Sequence, residues 1–255
     1  MDSPQEKIAR LEARVDALNA TIVNVLSKLV LHGLLTRATV DQLLAEVAAL
    51  VAEVALRHGA DLTVVPGSYA DALAAALDYE AATGALQVHA YDAPGTVAGQ
   101  GTCLREWEDQ GLEADTVLIA VGGGGLIGGA IAWAGQRRKI VAVEPETSRA
   151  LNAALVAGHP VDVEVSGIAA NSLGARKIGQ ICFDLAKEAG TPSILVTNDA
   201  IAEAQQILWR EARMLVEPGG ACALAALLSG AYRPEPGERV AVLLCGANIA
   251  PDPLS

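Results

Sequence analysis

Apolar residues recur at alternating spacings of three and four over the first part of the chain, from Ile8 to Leu29. This is a heptad pattern, and it predicts one long helix. A second amphipathic stretch, from Thr39 to Arg57, predicts another helix with Thr36 or Thr39 as its N-cap. The two helices can form a hairpin packed on their own domain or an element of oligomerisation, and the pattern favours neither.

From about residue 58 onward, short apolar runs alternate with segments of helical spacing. Parallel strands need such crossover helices, so the alternation predicts an α/β fold with a largely parallel sheet and helices on both faces. The predicted strands are Leu62–Val65, Leu86–Tyr91, Thr116–Val121, Ile140–Glu144, Ile194–Thr197 and Val240–Leu244. The predicted helices are Tyr69–Thr83, Gly101–Gln110, Leu126–Arg137, Leu173–Ala189, Ala200–Leu215 and Ala221–Leu228.

Composition supports this fold class and narrows the possible partners. Hydrophobic residues make up 52% of the 255 residues and aromatic residues only 3%, which suits helices packed closely on parallel strands. The formal net charge of -12 argues against nucleic acid or an anionic membrane as a partner. The four cysteines form no CxxC pair, and no run approaches about 18 apolar residues. We therefore expect a cytoplasmic protein without zinc, signal peptide or membrane span.

A run of four glycines, Gly122 to Gly125, lies between a predicted strand and the helix predicted to begin at Leu126. Glycines let backbone N–H groups approach an anion closely, and the positive end of the helix dipole faces the same point. The loop therefore predicts a site for a phosphate-bearing ligand. A tight strand-to-helix turn without a ligand is the alternative.

One candidate ligand is a dinucleotide. Gly123-x-Gly125-x-x-Gly128 matches the GxGxxG fingerprint, and Glu144 ends the next predicted strand where a ribose-binding carboxylate belongs. However, four consecutive glycines exceed what that turn requires, and the loop lies near the middle of the chain. We rank a dinucleotide-binding Rossmann domain last among the alternatives.

The segments around the glycine loop resemble those of fold-type II pyridoxal-phosphate enzymes. The segments that carry the resemblance are Tyr91–Thr102, Gly122–Leu126, Val143–Glu146, Glu217–Ala221 and Leu243–Asn248. Within that class they are most similar to the serine/threonine dehydratase (threonine ammonia-lyase) family. The order of the segments holds from about Val54 to Asn248, roughly three quarters of the chain.

The resemblance implies pyridoxal 5′-phosphate as the cofactor and assigns roles to seven residues. The cofactor-binding residues would be Gly122, Gly123, Gly124, Gly125, Leu126, Glu217 and Cys245. The glycines would donate N–H groups to the phosphate, and Cys245 would face the pyridine nitrogen. Cys245 can equally be a small buried core residue, and Glu217 can be a helix-terminal carboxylate rather than a neighbour of the ring.

The resemblance also implies a divalent-ion position that this sequence does not complete. Glu144 corresponds to one liganding position in relatives, but Ala150 stands where a second carboxylate belongs. We therefore predict no metal.

The catalytic lysine of the family has no counterpart in the expected place. By resemblance, a lysine forms a Schiff base with the cofactor and moves the Cα proton, while a Ser/Asn-rich loop holds the substrate carboxylate. Neither an S-x-K block nor an S-x-G-N-H block occurs in the sequence. The lysines are Lys7 and Lys28 in the heptad helix, Lys139 entering a strand at the end opposite the ligand crevice, and Lys177 and Lys187 on the exposed side of a predicted helix. We expect no catalytic residue, because the Schiff-base lysine is absent.

The expectation is thus the C-terminal portion of a dehydratase, truncated and inactive alone, that belongs to amino acid metabolism. Its predicted regions are a helical segment (1–57), a remnant of the small domain (58–90) and a large cofactor-binding domain (91–255). Its expected partners are the cofactor and either a second copy or a full-length relative. The alternative from another class is a non-catalytic oligomerisation or partner-binding protein.

Overall fold

The computed structural model describes residues 69–86 and 88–247, together with residues 61, 63 and 65. The helices predicted at 8–29 and 39–57 lie outside the described residues, and the proposed division at residues 57 and 90 stays a prediction. One compact unit comprises Val88–Ala247. Helix α1, Tyr69–Thr83, belongs to the other unit and has the predicted bounds.

The unit 88–247 contains a four-stranded parallel sheet, which confirms the predicted α/β class. Its strands are β1 (Thr116–Ala120), β2 (Lys139–Pro145), β3 (Ser193–Val196) and β4 (Val240–Val242). They lie in the order β3-β2-β1-β4, and every pairing is parallel. The helices are α2 (Pro94–Asp109), α3 (Gly125–Ala134), α4 (Ala150–Ala157), α5 (Gln180–Ala189), α6 (Asn198–Ile207) and α7 (Pro218–Leu228). A π-helical turn, Leu208–Ala212, follows α6.

Helices cover both faces of the sheet. The side chains of each strand alternate between the two faces and so enter two separate cores. In β1, Val117 and Ile119 face a core formed with α2 to α5, whereas Leu118 and Ala120 face a core formed with α6 and α7. All five residues of β1 are buried. Strand β1 is therefore the centre of the fold, and the loop that follows it starts from a rigid base.

Helices α2 and α3 cross through a contact between two glycines. A Cβ atom at Gly129 would lie 2.4 Å from the Gly101 nitrogen and 2.4 Å from the Val97 oxygen. A Cβ atom at Gly101 would lie 2.8 Å from the Gly129 oxygen. The two backbones touch, so neither position accepts a side chain.

The strand predicted at Leu86–Tyr91 is wrong, since the described residues of this stretch form no strand. The Nδ1 atom of His89 accepts hydrogen bonds from the backbone N–H groups of Tyr91 and Asp92, at 3.2 and 2.9 Å. These bonds turn the chain, and the donors are not available to a neighbouring strand. Of the residues predicted as Leu62–Val65, the described ones also lie outside any strand.

Several helix bounds differ from the prediction. Helix α5 begins at Gln180 rather than Leu173, so Lys177 lies in a loop and not on a helix. Gly179 precedes α5 with extended backbone (φ -61°, ψ 142°), which ends any helical path from Leu173. Helices α2 and α7 begin earlier than predicted, with Pro94 and Pro218 in their first turns, and α4 was not predicted. In the part of the chain that the structure describes, no helix is long and apolar enough to cross a membrane.

The glycine contact between α2 and α3 gives a stability test with a neighbouring control. We expect Gly129→Ala to lower the free energy of unfolding by about 2 kcal/mol or more, because the new Cβ atom meets backbone that cannot shift easily. Gly128→Ala is the control on the same helix, since its Cβ atom would meet other atoms only at 3.5 Å. Urea unfolding of both variants measures the difference. Equal stabilities would contradict the close helix crossing.

Candidate functional site

A cleft of about 320 Å³ opens at the carboxyl end of the sheet, above β1 and β4. Open parallel sheets bind ligands at this edge. The lining residues are Ala90, Tyr91, Gln100, Ala120, Gly122, Gly123, Gly124, Gly125, Leu126, Ile127, Ser172, Leu173, Glu217, Gly219, Cys245 and Gly246. The cleft thus brings together all seven residues that the sequence predicted for the cofactor.

The glycine loop is packed against a different neighbour at each of three positions. A Cβ atom would lie 3.2 Å from the Leu173 Cα atom at Gly122, 2.3 Å from the Tyr91 ring at Gly123, and 2.6 Å from the Cys182 sulfur at Gly124. Gly124 also has φ +95°, a conformation that side chains disfavour. The loop needs glycines for its own packing, whatever it binds.

The backbone N–H groups of the glycine loop have no acceptor within the described part of the chain. Among the residues that the structure describes, none accepts a hydrogen bond from the N–H groups of Gly122, Gly123, Gly124 or Gly125. Helix α3 begins at Gly125, and its N-cap Gly124 has no side chain to satisfy the first turn. Four donors and the positive end of a helix dipole therefore meet at the cleft, an arrangement that binds anions.

Glu217 lies at the other side of the cleft, as the N-cap of α7. Its N–H group donates to the Gly246 oxygen at 3.1 Å, and its carboxylate lies so close to Gly246 that a Cβ atom there would be 1.9 Å from Oε1. The carboxylate does not cap its own helix. It is half-buried, and burial raises its pKa.

Cys245 lies where it could have either of the two roles that the sequence left open. It is half-buried, lines the cleft and also packs against the core formed with α7. Burial is the main cause that raises the pKa of its thiol, and the neighbouring Glu217 and Cys103 raise it further. The thiol is therefore neutral near pH 7.

Glu144 was the candidate ligand for a ribose or a metal ion, but in the structure its carboxylate caps a helix. Its two carboxylate oxygens accept hydrogen bonds from the backbone N–H groups of Leu151 and Asn152, both at 2.8 Å, and from the Ser193 hydroxyl at 3.2 Å. It is fully buried, and burial outweighs these bonds and raises its pKa to about 7. Glu144 caps α4 and cannot reach a ribose. No described cluster of His, Cys, Asp and Glu could hold a metal ion.

None of the described lysines lines the cleft. As predicted, Lys139 lies at the opposite end of the sheet, at the start of β2. Its ammonium group donates a hydrogen bond to the Tyr232 hydroxyl at 3.1 Å. Lys187 lies in the last turn of α5, 5.4 Å from the centre of the Phe183 ring. Lys177 is exposed in the loop before α5, and its carbonyl accepts a bond from the Tyr91 hydroxyl at 3.4 Å.

Sequence reasoning missed three polar residues of the cleft: Tyr91, Gln100 and Ser172. The Ser172 hydroxyl accepts a hydrogen bond from the Gly219 N–H group at 3.0 Å and thereby caps α7 from a distant loop. Tyr91 and Gln100 lie in a segment that resembles the family, and this resemblance could have indicated them as site residues. No sequence feature indicates Ser172.

Comparison of the sequence with known protein families identifies a family whose cofactor carries a phosphate. The sequence profile of the family described as "Pyridoxal-phosphate dependent enzyme" matches residues 45–246. The chain belongs to this family. The cofactor of this family is pyridoxal 5′-phosphate, and a glycine loop whose four N–H groups have no acceptor among the described residues fits the phosphate of that cofactor.

The chain is similar in sequence to threonine dehydratases. It is 37% identical to the biosynthetic L-threonine dehydratase of Escherichia coli over 195 residues, which are 75% of this chain and 38% of that protein. It is 31% identical to the L-threonine ammonia-lyase of Thermotoga maritima over 75% of this chain and 48% of that one. The chain therefore spans less than half the length of these relatives.

Two solved structures confirm the fold. The threonine deaminase of T.th. aligns with a TM-score of 0.66 and 28% identity, over 78% of this chain and 66% of that one. The serine racemase of Dictyostelium discoideum aligns with a TM-score of 0.69 and 25% identity, over 80% and 66% of the two chains.

The tight packing of the glycine loop predicts a specific cost for Gly124→Ala. Its Cβ atom would overlap the Cys182 side chain in addition to straining the backbone. Gly111→Ala is a matched control, because Gly111 has the same φ of +95° and no atom within 4 Å of its Cβ position. We expect Gly124→Ala to lower the free energy of unfolding by about 1–3 kcal/mol more than Gly111→Ala does, as measured by urea unfolding. Equal losses would show that backbone strain alone matters there.

The raised pKa of Glu144 predicts a pH dependence of stability. Its pKa of about 7 in the folded state is above its usual value of 4.5, so between these values the folded chain binds more protons than the unfolded one. The free energy of unfolding should therefore fall as pH rises from 4.5 to 7, by about 3 kcal/mol from this group.

The control for this pH dependence is Glu144→Gln, which cannot titrate. The difference in unfolding free energy between the wild-type chain and this variant should shrink as pH rises through the same window. A difference independent of pH would contradict the assignment.

Proposed function

We propose that this chain binds pyridoxal 5′-phosphate in the cleft at the carboxyl end of the sheet, with the phosphate on the glycine loop. The observation that supports this most is that the N–H groups from Gly122 to Gly125 have no acceptor among the residues that the structure describes. A phosphate dianion accepts several such bonds at once, and the start of α3 adds its dipole. Leu126 begins the first turn beside the phosphate and lines the same cleft.

Cys245 and Glu217 would then lie beside the ring. A neutral thiol facing the pyridine nitrogen leaves that nitrogen less fully protonated than a carboxylate would. A less protonated ring withdraws electrons less strongly, which suits β-elimination better than chemistry that needs a long-lived carbanion. Glu217 would lie near the ring edge, where its half-buried carboxylate has no partner among the described residues.

The reaction of the full site would be that of a serine/threonine dehydratase. Water is eliminated across the α and β carbons of a hydroxy amino acid, and water then hydrolyses the resulting imine to a 2-oxo acid and ammonia. When bound, the cofactor supplies the electron sink for cleavage of bonds at the α-carbon. The chain's own residues would hold the phosphate and shield the ring from water.

We further propose that the chain alone does not catalyse this elimination. No lysine lies among the described residues of the cleft, and no S-x-K block occurs in the sequence. Acid–base catalysis by such a group contributes about 10²–10⁴-fold to a rate. A lysine from another polypeptide, such as a longer relative, would complete the site.

Binding and catalysis can be tested separately. We expect 4′-deoxypyridoxine 5′-phosphate, which has no aldehyde and cannot react with surface lysines, to bind the purified chain in equilibrium dialysis. Inorganic phosphate should compete with it, because both use the same N–H groups. Gly124→Ala should weaken binding by about tenfold or more, whereas Gly111→Ala should not.

The catalytic part of the proposal predicts no 2-oxo acid above background from L-threonine or L-serine with saturating pyridoxal phosphate. Absence of analogue binding at millimolar concentration would overturn the cofactor proposal. Turnover by the isolated chain would overturn only the second part.

A further inference from the structure

Asp92 joins two segments that are far apart in the sequence. Its Oδ2 and Oδ1 atoms accept hydrogen bonds from the backbone N–H groups of Gln180 and Ile181, both at 3.0 Å. These are the first two residues of α5, whose own N-cap, Gly179, has no side chain. Asp92 therefore caps a helix that begins 88 residues later.

The start of α5 packs directly against the glycine loop. The N–H group of Gly179 donates to the Gly123 oxygen at 3.0 Å. A Cβ atom at Gly124 would lie 2.8 Å from the Ile178 side chain and 2.6 Å from the Cys182 sulfur. Any shift of this first turn must therefore move the glycine loop.

The residue before Asp92 contacts the loop from another direction. The ring of Tyr91 lies on Gly123, and its backbone lies on Gly125, where a Cβ atom would be 3.0 Å from the Tyr91 Cα atom. The Tyr91 hydroxyl donates to the Lys177 oxygen just before α5. The loop is thus held between the Tyr91-Asp92 turn and the first turn of α5, and the Asp92 carboxylate ties these two together.

We propose that Asp92 is a positioning residue of the phosphate site: its carboxylate fixes the first turn of α5 and so holds the glycine loop with its N–H groups converging on the ligand. This inference rests on the proposed function. Asp92 does not line the cleft and acts through the loop rather than by contact with the ligand.

A purely electrostatic role predicts the opposite effect. Removal of a carboxylate charge near an anion site should strengthen anion binding. Loss of positioning should weaken it, because the amide of asparagine keeps one acceptor and turns a donor toward the second N–H group. The sign of the effect of Asp92→Asn therefore separates the two explanations.

The chain offers a matched control in Glu144→Gln. Glu144 also caps a helix through two backbone N–H groups, but its helix is α4, and Glu144 does not line the cleft or touch the glycine loop. Both variants convert the carboxyl group of a capping residue to an amide, so each places an N–H donor against one of two backbone N–H groups. The expected effect on the glycine loop belongs to Asp92→Asn alone.

The experiment uses the full chain under conditions where both variants are folded. With 4′-deoxypyridoxine 5′-phosphate as the probe, Asp92→Asn should raise the dissociation constant about tenfold, which is about 1.4 kcal/mol, and Glu144→Gln should change it by less than about twofold. An unchanged or lower dissociation constant for Asp92→Asn would overturn the inference.

A second readout does not depend on ligand binding. In the free protein, ¹⁵N relaxation of the amides of Gly122 to Gly125 should give lower order parameters in Asp92→Asn than in the wild-type chain or in Glu144→Gln. Unchanged order parameters would overturn the inference even if the wild-type chain bound no probe. Absence of binding with an altered loop would overturn the proposed function and leave the positioning role supported.

Discussion

Close packing of the glycine loop after β1 is the constraint on which the site depends. Three neighbours occupy the places where side chains would be: the Leu173 backbone, the Tyr91 ring and the Cys182 side chain. The loop lines the cleft, and within the described residues no acceptor binds the N–H groups of Gly122 to Gly125. Since the loop is fixed before a ligand arrives, anion binding does not have to order it.

A second feature extends this arrangement around the edge of the sheet. Helices α4, α5 and α7 all lack a side-chain cap from their own N-cap residue. Their first N–H groups are satisfied instead by Glu144, Asp92 and Ser172, each from another segment. Local stability of these helix starts is therefore tied to tertiary structure, and the cleft keeps its shape only while the segments stay together.

The sequence predicted the class of fold and the glycine loop well, because buried strands and glycine runs are local signals. Helix starts were predicted less well, because Asp92 and Ser172 cap helices that are distant in the sequence. The residues next to those helices therefore carry no capping signal. Proline at the first turn of α2 and α7 reads as a turn in the sequence, although its fixed φ suits a helix start. The helix-capping role of Glu144 could not be predicted, because only the folded chain shows that its oxygens accept hydrogen bonds from α4.

The central claim is that the cleft recognises a phosphate through backbone N–H groups. The most direct measurement is a set of NMR titrations of the ¹⁵N-glycine-labelled chain with pyridoxal 5′-phosphate, with inorganic phosphate and with pyridoxal, which lacks the phosphate. The structure predicts that the amide signals of Gly122 to Gly125 shift with the phosphorylated compound and with inorganic phosphate, but not with pyridoxal. Equal shifts with pyridoxal, or no shift with any of them, would contradict the account.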